Sequence, residues 1–491
     1  MPKRTHRRCL LILSVLTTLV SCGSVDGGED AQGGDANRAD AAPDSDAAAA
    51  SDAAPLPIDL DWERTPGTVE TAHLQVPSSV AAPEGLAVVV SWPAQASGAR
   101  YAEGAPIVIE IPGGHTPGSL PPDGAAGFAA IGMVSINFIM PGGEQDGRRS
   151  GGVFDYRGPR CMAALADLVA FARGDTVGTR DDDTEVFLDD LLGYPSLDDQ
   201  IGLVGSSNGG NLAVVSLDGA DLHGVRWLSM FESPVGDQVV TGELSNSQEQ
   251  NPAYQGPCTS AGCVVDYSSL AFDATSPHQI AEWGSPPGDA DEYLNATGTI
   301  YFDGDGDRTR DASEYVVEPR AARHADADPL AGFVSIELRQ ALAAAGLSPT
   351  HLASVAVTEQ FWAARDAGTD NHYAGAVSRR PDLAVMVLGT ATDHGQPYLA
   401  DHGNLVMGYA GWTGAGAALV RFNPDAAYLA GAPGSMNFVE SPYGQVLSPT
   451  DLLAHLTPDS VDGTLIDRAS SELADRVHAA RWEDLTETLW P

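Results

Sequence analysis

The chain has 491 residues, enough for one large domain or two of ordinary size. Hydrophobic residues make up 43% of it, which is sufficient for a sizeable core. The formal net charge is −41 and the isoelectric point is near 4.3, which argues against nucleic acid or an anionic membrane surface as a partner.

The first 22 residues have the organisation of an export signal. Basic residues precede an apolar stretch, Cys9 to Val20, that is too short to span a bilayer. The segment ends in Leu-Val-Ser followed by Cys22, which resembles the lipobox of bacterial lipoproteins. The resemblance implies cleavage before Cys22 and acylation of that cysteine. Because Gly23 rather than Asp follows, it also implies a protein lipid-anchored at the outer membrane or cell surface; a non-lipidated signal peptide is the alternative.

A low-complexity segment, residues 23–60, follows the signal. It is mostly Ala, Asp, Gly and Ser, and it has too few large apolar side chains to offset the entropy of ordering. We expect a disordered acidic tether whose like charges keep it extended.

Residues 61–237 alternate between two hydrophobic patterns. Four strand-like runs come first, namely TVETAHLQV, LAVVVSW, APIVIEI and GMVSINFIM. Continuous apolar runs that end in Gly-rich loops are typical of strands buried on both faces of a parallel sheet. The spacing of Met162, Leu165, Leu168 and Phe171 then predicts an amphipathic crossover helix. Together these patterns predict an α/β fold with a mostly parallel sheet flanked by helices.

The stretch IGLVGSSNGGNLAVVSL, starting at Ile201, carries the strongest chemical signal. A short apolar strand ends in a Gly-Ser-Ser-Asn-Gly turn, and a helix-compatible apolar run follows. This context of the G-x-S-x-G pattern resembles the nucleophile elbow of the α/β-hydrolase superfamily. The resemblance implies that Ser207 is a nucleophile, with an ordinary glycine-rich turn as the alternative.

The same resemblance supplies the oxyanion donors. One would be the backbone N–H of Asn208, directly after the nucleophile. The other would come from the PGGH loop after the third strand, at Gly113 or Gly114. An ordinary glycine turn is the alternative for that loop.

The α/β pattern breaks at residues 238–380, which are polar and have only short apolar stretches. The best helix candidates there are Leu338 to Ala345 and Val355 to Ala364. Insertions at this position form a cap in α/β-hydrolases, and we therefore expect a folded cap rather than a long structureless loop. The hydrolase core resumes over residues 381–491, with further strands and a helix around Ser470 to Trp482.

The acid and the base of a catalytic triad are less clearly marked. Asp393 follows the strand after the insertion, where the family carries its triad carboxylate, and it is the expected acid. The family places its histidine after the last strand, but the next one here is His455, inside an apolar helix-like run. The candidate bases are therefore His394, His402 and His115.

His394 is the preferred base because it lies at the correct strand ends. It adjoins Asp393, and it would face Ser207 if Glu232 or Asp237, at the end of the preceding strand, supplied the acid.

An acidic run, YFDGDGDRTRDASEY, predicts a calcium site. It places six oxygen-bearing residues at loop positions 1, 3, 5, 7, 9 and 12 of an EF-hand-type loop, namely Asp303, Asp305, Asp307, Thr309, Asp311 and Glu314. Position 6, normally glycine, is Arg308, and flanking helices are not evident. A solvated acidic loop is the alternative, and calcium there would be structural.

Cysteine usage agrees with export. Cys258 and Cys263 enclose only four residues and are predicted to form a small disulfide in an oxidising compartment. Cys161 falls in the apolar pattern of a helix and is predicted to be buried.

Two hypotheses follow from these residues. The first is a capped serine hydrolase that cleaves an ester or amide, in a small molecule or a peptide, through an acyl-serine intermediate without an organic cofactor. The second is a catalytically degenerate lipoprotein of the same fold that acts as a binding protein. The complete G-x-S-x-G pattern favours the first, and the missing downstream histidine favours the second.

Overall fold

A computed structural model describes residues 68–114, 116–122, 127–234, 241–245, 249–256, 263–277, 297–324, 330–368, 371–390, 403–423 and 462–480. In chain order the strands are β1 (Val69–Val76), β2 (Leu86–Pro93), β3 (Ala105–Ile111), β4 (Val134–Phe138), β5 (Glu144–Gln145), β6 (Arg148–Arg149), β7 (Gly178–Arg180), β8 (Glu185–Val186), β9 (Ser196–Ser206), β10 (Val225–Phe231), β11 (Leu270–Pro277), β12 (Thr297–Phe302), β13 (Tyr315–Val317), β14 (Arg320–Ala322), β15 (Ala331–Phe333), β16 (Ala384–Leu388) and β17 (Leu419–Phe422). The helices are α1 (Gly127–Ala130), α2 (Pro159–Ala172), α3 (Leu188–Leu192), α4 (Asn208–Gly219), α5 (Thr241–Leu244), α6 (Ile336–Ala344), α7 (Val355–Ala363), α8 (His372–Arg379), α9 (Gly403–Gly414) and α10 (Asp462–Ala479).

One large sheet organises the described residues, in the order β17-β16-β10-β9-β3-β4-β2-β1-β7-β8. The strands from β17 to β4 are parallel to one another. Strand β2 is antiparallel to both of its neighbours, β4 and β1. This order, with the glycine-flanked serine turn at the carboxyl end of β9, is that of the α/β-hydrolase fold, and the predicted fold class is confirmed.

Both faces of the sheet are covered, which explains why its strands are apolar without alternation. One face packs on α2, α4, α8 and α9. The other face packs on α1 and α10. The predicted crossover helix is α2, in which Leu165, Leu168 and Phe171 are fully buried while Met162 lies at the margin of the core.

The insertion between β10 and β16 has its own small cores. Strands β11, β12 and β13 form an antiparallel sheet whose apolar side packs on α6. A second cluster joins the β14–β15 hairpin to α7. Helix α8 lies within the segment expected to be a cap, but Tyr373 and Ala376 are buried in the main core. The structure therefore returns to the core layer before α8, earlier than the polar composition suggested.

The return of the insertion is tied to α4 through Asn211. The Asn211 side-chain amide donates to the carbonyl of Arg365, and its oxygen accepts from the N–H of Ala367 at 2.9 Å. Because Asn211 is buried, both bonds are sheltered from water.

Among the described helices, none is long and apolar enough to cross a bilayer.

Candidate active site

Ser207 lies between β9 and α4, at the carboxyl edge of the sheet. Its backbone has φ 50° and ψ −127°, which a non-glycine residue adopts only when its surroundings impose it. The Ser207 N–H donates to the carbonyl of Phe231 at 2.8 Å, which ties the turn to the end of β10. The side chain therefore stands at the amino end of α4, where the helix dipole favours negative charge.

Glycines are required on both sides of this serine. A Cβ on Gly205 would lie 2.4 Å from Gly210 Cα, and one on Gly209 would lie 2.3 Å from the Ile111 carbonyl oxygen. Both contacts are with backbone, which cannot swing aside as a flexible side chain can. The strand and helix thus pack too closely at Gly205 and Gly209 for a side chain at either position, whereas Ser207 between them is only partly buried.

The loop after β3 lies against the same turn. A Cβ on Gly113 would lie 3.1 Å from Ser207 Cβ and 2.7 Å from the Ser206 carbonyl oxygen. The Asn208 side-chain amide donates to the Gly114 carbonyl at 3.0 Å. Within the described residues, the N–H groups of Gly113 and Gly114 donate to no acceptor. The structure therefore brings together the three residues expected to form an oxyanion hole: Asn208, Gly113 and Gly114.

Glu232 directly follows Phe231, whose carbonyl accepts from the Ser207 N–H. It is 3% exposed, and its backbone φ is 44°. Its N–H donates to the Leu388 carbonyl at 3.0 Å, and its carboxylate accepts from both the N–H and the hydroxyl of Thr390. A buried carboxylate held between the ends of β10 and β16 is well placed to orient a base.

A second polar pair fixes the backbone beside Thr390. The Asn423 side chain accepts from the Gly389 N–H at 3.0 Å and donates to the Gly389 carbonyl at 2.8 Å. Asn423 is fully buried directly after β17. The ends of β16 and β17 are thus locked together next to the residue that holds Glu232.

The other candidates for the triad lie outside the described residues. These are Asp393, His394, His402 and His115, together with Asp237 and His455. Within the part of the chain that the structure describes, Ser207 Oγ has no hydrogen-bond partner. Two of the described histidines have partners of their own. His372 Nδ1 is 2.7 Å from Asp218 Oδ2 at the far end of α4, and His478 stacks on Tyr101. The assignment of the base thus stays a prediction.

Arg157 is a residue of the site that sequence reasoning missed. Its guanidinium is buried beneath the loop after β3 and donates to the carbonyls of Pro112, Gly113 and Thr116. The sequence offered only an arginine in a Gly-rich loop, which is not a specific signal.

The acidic run forms the connection between β12 and β13, not a loop between helices. Carboxylate oxygens of Asp303, Asp305 and Asp307 lie within 4.8 Å of one another. Glu314 accepts from the N–H groups of Gly304 and Asp311, so it closes the loop from its far end.

Of the other predicted ligands, Asp311 and Glu314 are not part of the group formed by the three aspartates, and Asp311 accepts from Ser313. The Thr309 N–H donates to the Asp307 carboxylate. Arg308, at the position normally occupied by glycine, has the left-handed φ of 60° that this position requires.

The cysteines fall into two groups. Cys161 is free and fully buried, as predicted, and burial raises the pKa of its thiol well above the ordinary value. Cys263 is disulfide-bonded, and since Cys258 lies outside the described residues, their pairing stays a prediction. Cys22, the signal and the tether also lie outside the described residues.

No known family model matches the chain, and no curated protein matches it. Among solved structures, it is similar to an α/β-hydrolase enzyme from a Medee basin deep-sea metagenome library, with 14% identity, a TM-score of 0.24 and coverage of 34% of this chain and 58% of the other. Brefeldin A esterase, a bacterial homologue of human hormone-sensitive lipase, gives 16% identity, a TM-score of 0.25 and coverage of 38% and 44%. Esterase B from Lactobacillus rhamnosis gives 16% identity, a TM-score of 0.26, and coverage of 36% of this chain and 53% of the other. The chain thus spans about half the length of these structures.

Proposed function

We propose that the protein is a serine hydrolase that cleaves an ester or amide through an acyl-Ser207 intermediate. The observation that carries this proposal is the backbone of Ser207, held at φ 50° and ψ −127° between β9 and α4 with Gly113 packed against it. Strained backbone at a helix amino end, beside N–H groups that have no acceptor among the described residues, is the arrangement that acyl transfer needs.

In the proposed reaction, a histidine takes the proton of Ser207 Oγ as the oxygen attacks the carbonyl carbon of the substrate. The resulting oxyanion is stabilised by the N–H groups of Asn208 and Gly114. The same histidine then protonates the leaving group, and water hydrolyses the acyl-serine in the reverse order of steps. His394 is the proposed base, with His402 and His115 as alternatives.

We assign the orienting carboxylate to Glu232, with Asp393 as the alternative. Glu232 is favoured because it follows Phe231, whose carbonyl accepts from Ser207, and because Thr390 fixes its carboxylate. A carboxylate in that place would hold the imidazole in the tautomer that accepts the serine proton.

The experiment is labelling with a fluorophosphonate probe, which forms a covalent bond with an activated serine. We expect the wild type to be labelled and Ser207→Ala to be spared. Among His394→Ala, His402→Ala and His115→Ala, the variant that lacks the base should lose labelling while the other two keep it. A folded wild type that is never labelled would favour the second hypothesis, a binding protein that kept the fold without the base.

We also propose that the protein is exported and anchored by lipid at Cys22. The support is the basic, apolar and Leu-Val-Ser-Cys succession of the first 22 residues. Cys22→Ser should abolish acylation and release the protein from membranes, since attachment rests on the lipid chains alone. Membrane fractionation of that variant identical to the wild type would contradict the proposal.

A further inference from the structure

The corner between β6 and α2 has an unusual backbone. Tyr156 and Arg157 both have left-handed φ, at 56° and 61°, although neither is glycine. Each such residue costs of order 1 to 3 kcal/mol and persists only where the surroundings enforce it. Two in succession therefore indicate that the corner is held from several sides.

Two groups hold it. The Asp155 carboxylate accepts from the N–H groups of Gly158 and Arg160, at 3.0 and 2.7 Å, and so caps the start of α2. From the insertion, Arg365 donates through Nε and Nη2 to the Asp155 carbonyl, at 3.2 and 2.8 Å. Arg365 is itself buried, with its guanidinium 4.1 Å from the centre of the Phe361 ring.

The corner places the Arg157 guanidinium beneath residues 112–114, which we call the oxyanion loop. Its Nη2 donates to the Pro112 carbonyl at 2.9 Å, to the Gly113 carbonyl at 2.5 Å and to the Thr116 carbonyl at 3.3 Å. Arg157 is only 4% exposed, and its Nε and Nη1 have no partner within the described residues. Because one nitrogen of this buried guanidinium donates to three carbonyls, it fixes the direction of those peptide groups.

That direction decides where the loop's N–H groups point. In a trans peptide the carbonyl of one residue and the N–H of the next point in opposite directions. Because the carbonyls of Pro112 and Gly113 point at Arg157, the N–H groups of Gly113 and Gly114 point away from it. Gly113 also packs against Ser207 on the other side.

The charge of Arg157 acts in the same sense. Burial lowers its pKa, and the ionisable groups that act on it are Cys161 and Tyr156. Burial raises the pKa of both of these, so both are neutral at pH 7 and neither offsets the positive charge. A cation at the carbonyl end of a peptide group polarises it and makes its N–H a stronger donor.

We propose that Arg157 is a positioning residue that presets the oxyanion loop by holding its carbonyls, so that the Gly113 and Gly114 N–H groups face the reacting oxygen before substrate arrives. The inference rests on the acyl-serine chemistry proposed above. Because the loop would be preset for the transition state, losing Arg157 should lower kcat and leave KM nearly unchanged.

The test compares Arg157→Met with Arg148→Met, a control that removes a partly exposed arginine paired with Asp181. With p-nitrophenyl acetate as substrate, we expect Arg157→Met to lower kcat by about 10- to 100-fold, somewhat less than the loss of an oxyanion donor itself. KM should stay within about twofold, and the rate of phosphonylation at Ser207 should fall in proportion to kcat. The control should keep the wild-type kcat.

A folded Arg157→Met protein with full kcat, or with a raised KM alone, would overturn the inference. If that variant does not fold, Arg157→Lys decides. Lysine keeps the charge but lacks the guanidinium fork, so we expect a smaller loss of kcat at constant KM, and full kcat would count against us. A wild type that is neither labelled nor active would overturn both the proposed function and this inference. An active wild type whose kcat does not change when Arg157 is substituted would overturn only the inference.

Discussion

Two loops with recognisable sequence motifs, the elbow turn at residues 205–210 and the acidic loop at residues 303–314, are held in place by opposite means. The elbow is fixed from outside. Its glycines touch the backbone of β3 and α4, and its serine is tied to the end of β10. The acidic loop is fixed from within, since the Asp303 carboxylate accepts from the N–H groups of Gly306 and Arg308.

The glycines show the difference most directly. A Cβ on Gly209 would meet backbone at 2.3 Å, whereas one on Gly304 would have nothing within 4 Å. A disturbance in a turn that depends on distant strands reaches the core of the sheet, whereas a disturbance in a turn closed by its own side chains stays within the insertion. The predictions below test this contrast by making the same chemical change in both loops or in their surroundings.

The largest expected effect is on catalysis, from one substitution made at two glutamates. Glu232→Gln should lower kcat by about 10²- to 10⁴-fold, because an amide holds the base in the wrong tautomer. Glu314→Gln should change kcat by less than about twofold, since that residue closes only its own loop. Steady-state kinetics of both proteins measures the difference. If Glu232→Gln and Glu314→Gln have equal kcat values, Glu232 is not the carboxylate that orients the base, and Asp393 becomes the candidate for that role.

Adding a methyl group to one glycine in each loop should have the next largest effect. We expect Gly209→Ala to lower the free energy of unfolding by about 3 kcal/mol and to abolish labelling of Ser207, because the new Cβ has to displace β3. Gly304→Ala should stay within about 0.5 kcal/mol of the wild type. Denaturant unfolding followed by circular dichroism measures both. A stable, labelled Gly209→Ala protein would show that the elbow is not fixed from outside.

Calcium should stabilise the acidic loop, whereas it should have no effect on the elbow turn. Binding to the folded loop alone stabilises it by mass action, by about 2.7 kcal/mol at a hundredfold excess over Kd. The thermal midpoint should therefore rise with calcium and fall with a chelator. The double change Asp305→Asn and Glu314→Gln, which keeps size and removes charge, should abolish the response. Identical midpoints of the wild type in the two buffers would leave an ordinary acidic turn.

We also expect chelation to raise KM through loosening of the insertion while Ser207 stays reactive. Phosphonylation by a small probe should proceed at the same rate with and without calcium, and hydrolysis of larger esters should slow. A chelator that slows both reactions equally would contradict the separation between the two loops.

The smallest effect concerns one aspartate in the core and one in the acidic loop. Burial, together with the charge of Glu110 on β3, raises the pKa of Asp467 on α10 to about 7. Its raised pKa means that the folded state holds the proton longer than the unfolded state, so stability should fall as pH rises from about 4 to about 7. Hydrogen bonds from Ser313 instead lower the pKa of Asp311, which is exposed.

Asp467→Asn should therefore stabilise the protein at pH 8 by on the order of 2 kcal/mol and have little effect at pH 4. Asp311→Asn should leave the pH dependence of unfolding between pH 5 and pH 8 unchanged. Free energies of unfolding measured at these pH values test both statements, and a gain for Asp467→Asn that is equal at pH 4 and pH 8 would rule out titration as its cause.

Sequence alone was sufficient for features encoded by nearby residues. The elbow is a five-residue pattern with a strand before it and a helix after it, and the alternation of apolar runs predicted the sheet. The spacing of Asp303, Asp305 and Asp307 is equally local, and the structure brings their carboxylates together. In each case the distance along the chain limits the distance in space.

The features that sequence did not predict depend on contacts between distant residues. Arg157 lies 44 residues from the Gly113 carbonyl it binds, and Arg365 lies 210 residues from Asp155. No periodicity or motif connects such pairs, because the topology of the sheet sets their proximity. By sequence, helix α8 belongs to the polar insertion for a related reason, because Tyr373 and Ala376 are its only buried residues.

Asn211 attaches the end of the insertion to α4, close to Ser207. It stands four residues after Ser207 on α4, a rise of about 6 Å, and it grips the chain at Arg365 and Ala367 with both ends of its amide. The part of the insertion that precedes this attachment includes α6, α7 and the small sheet. The attachment itself lies one helical turn from Ser207. A force applied to the outer surface of the insertion would therefore be passed through Asn211 to α4, one helical turn from Ser207.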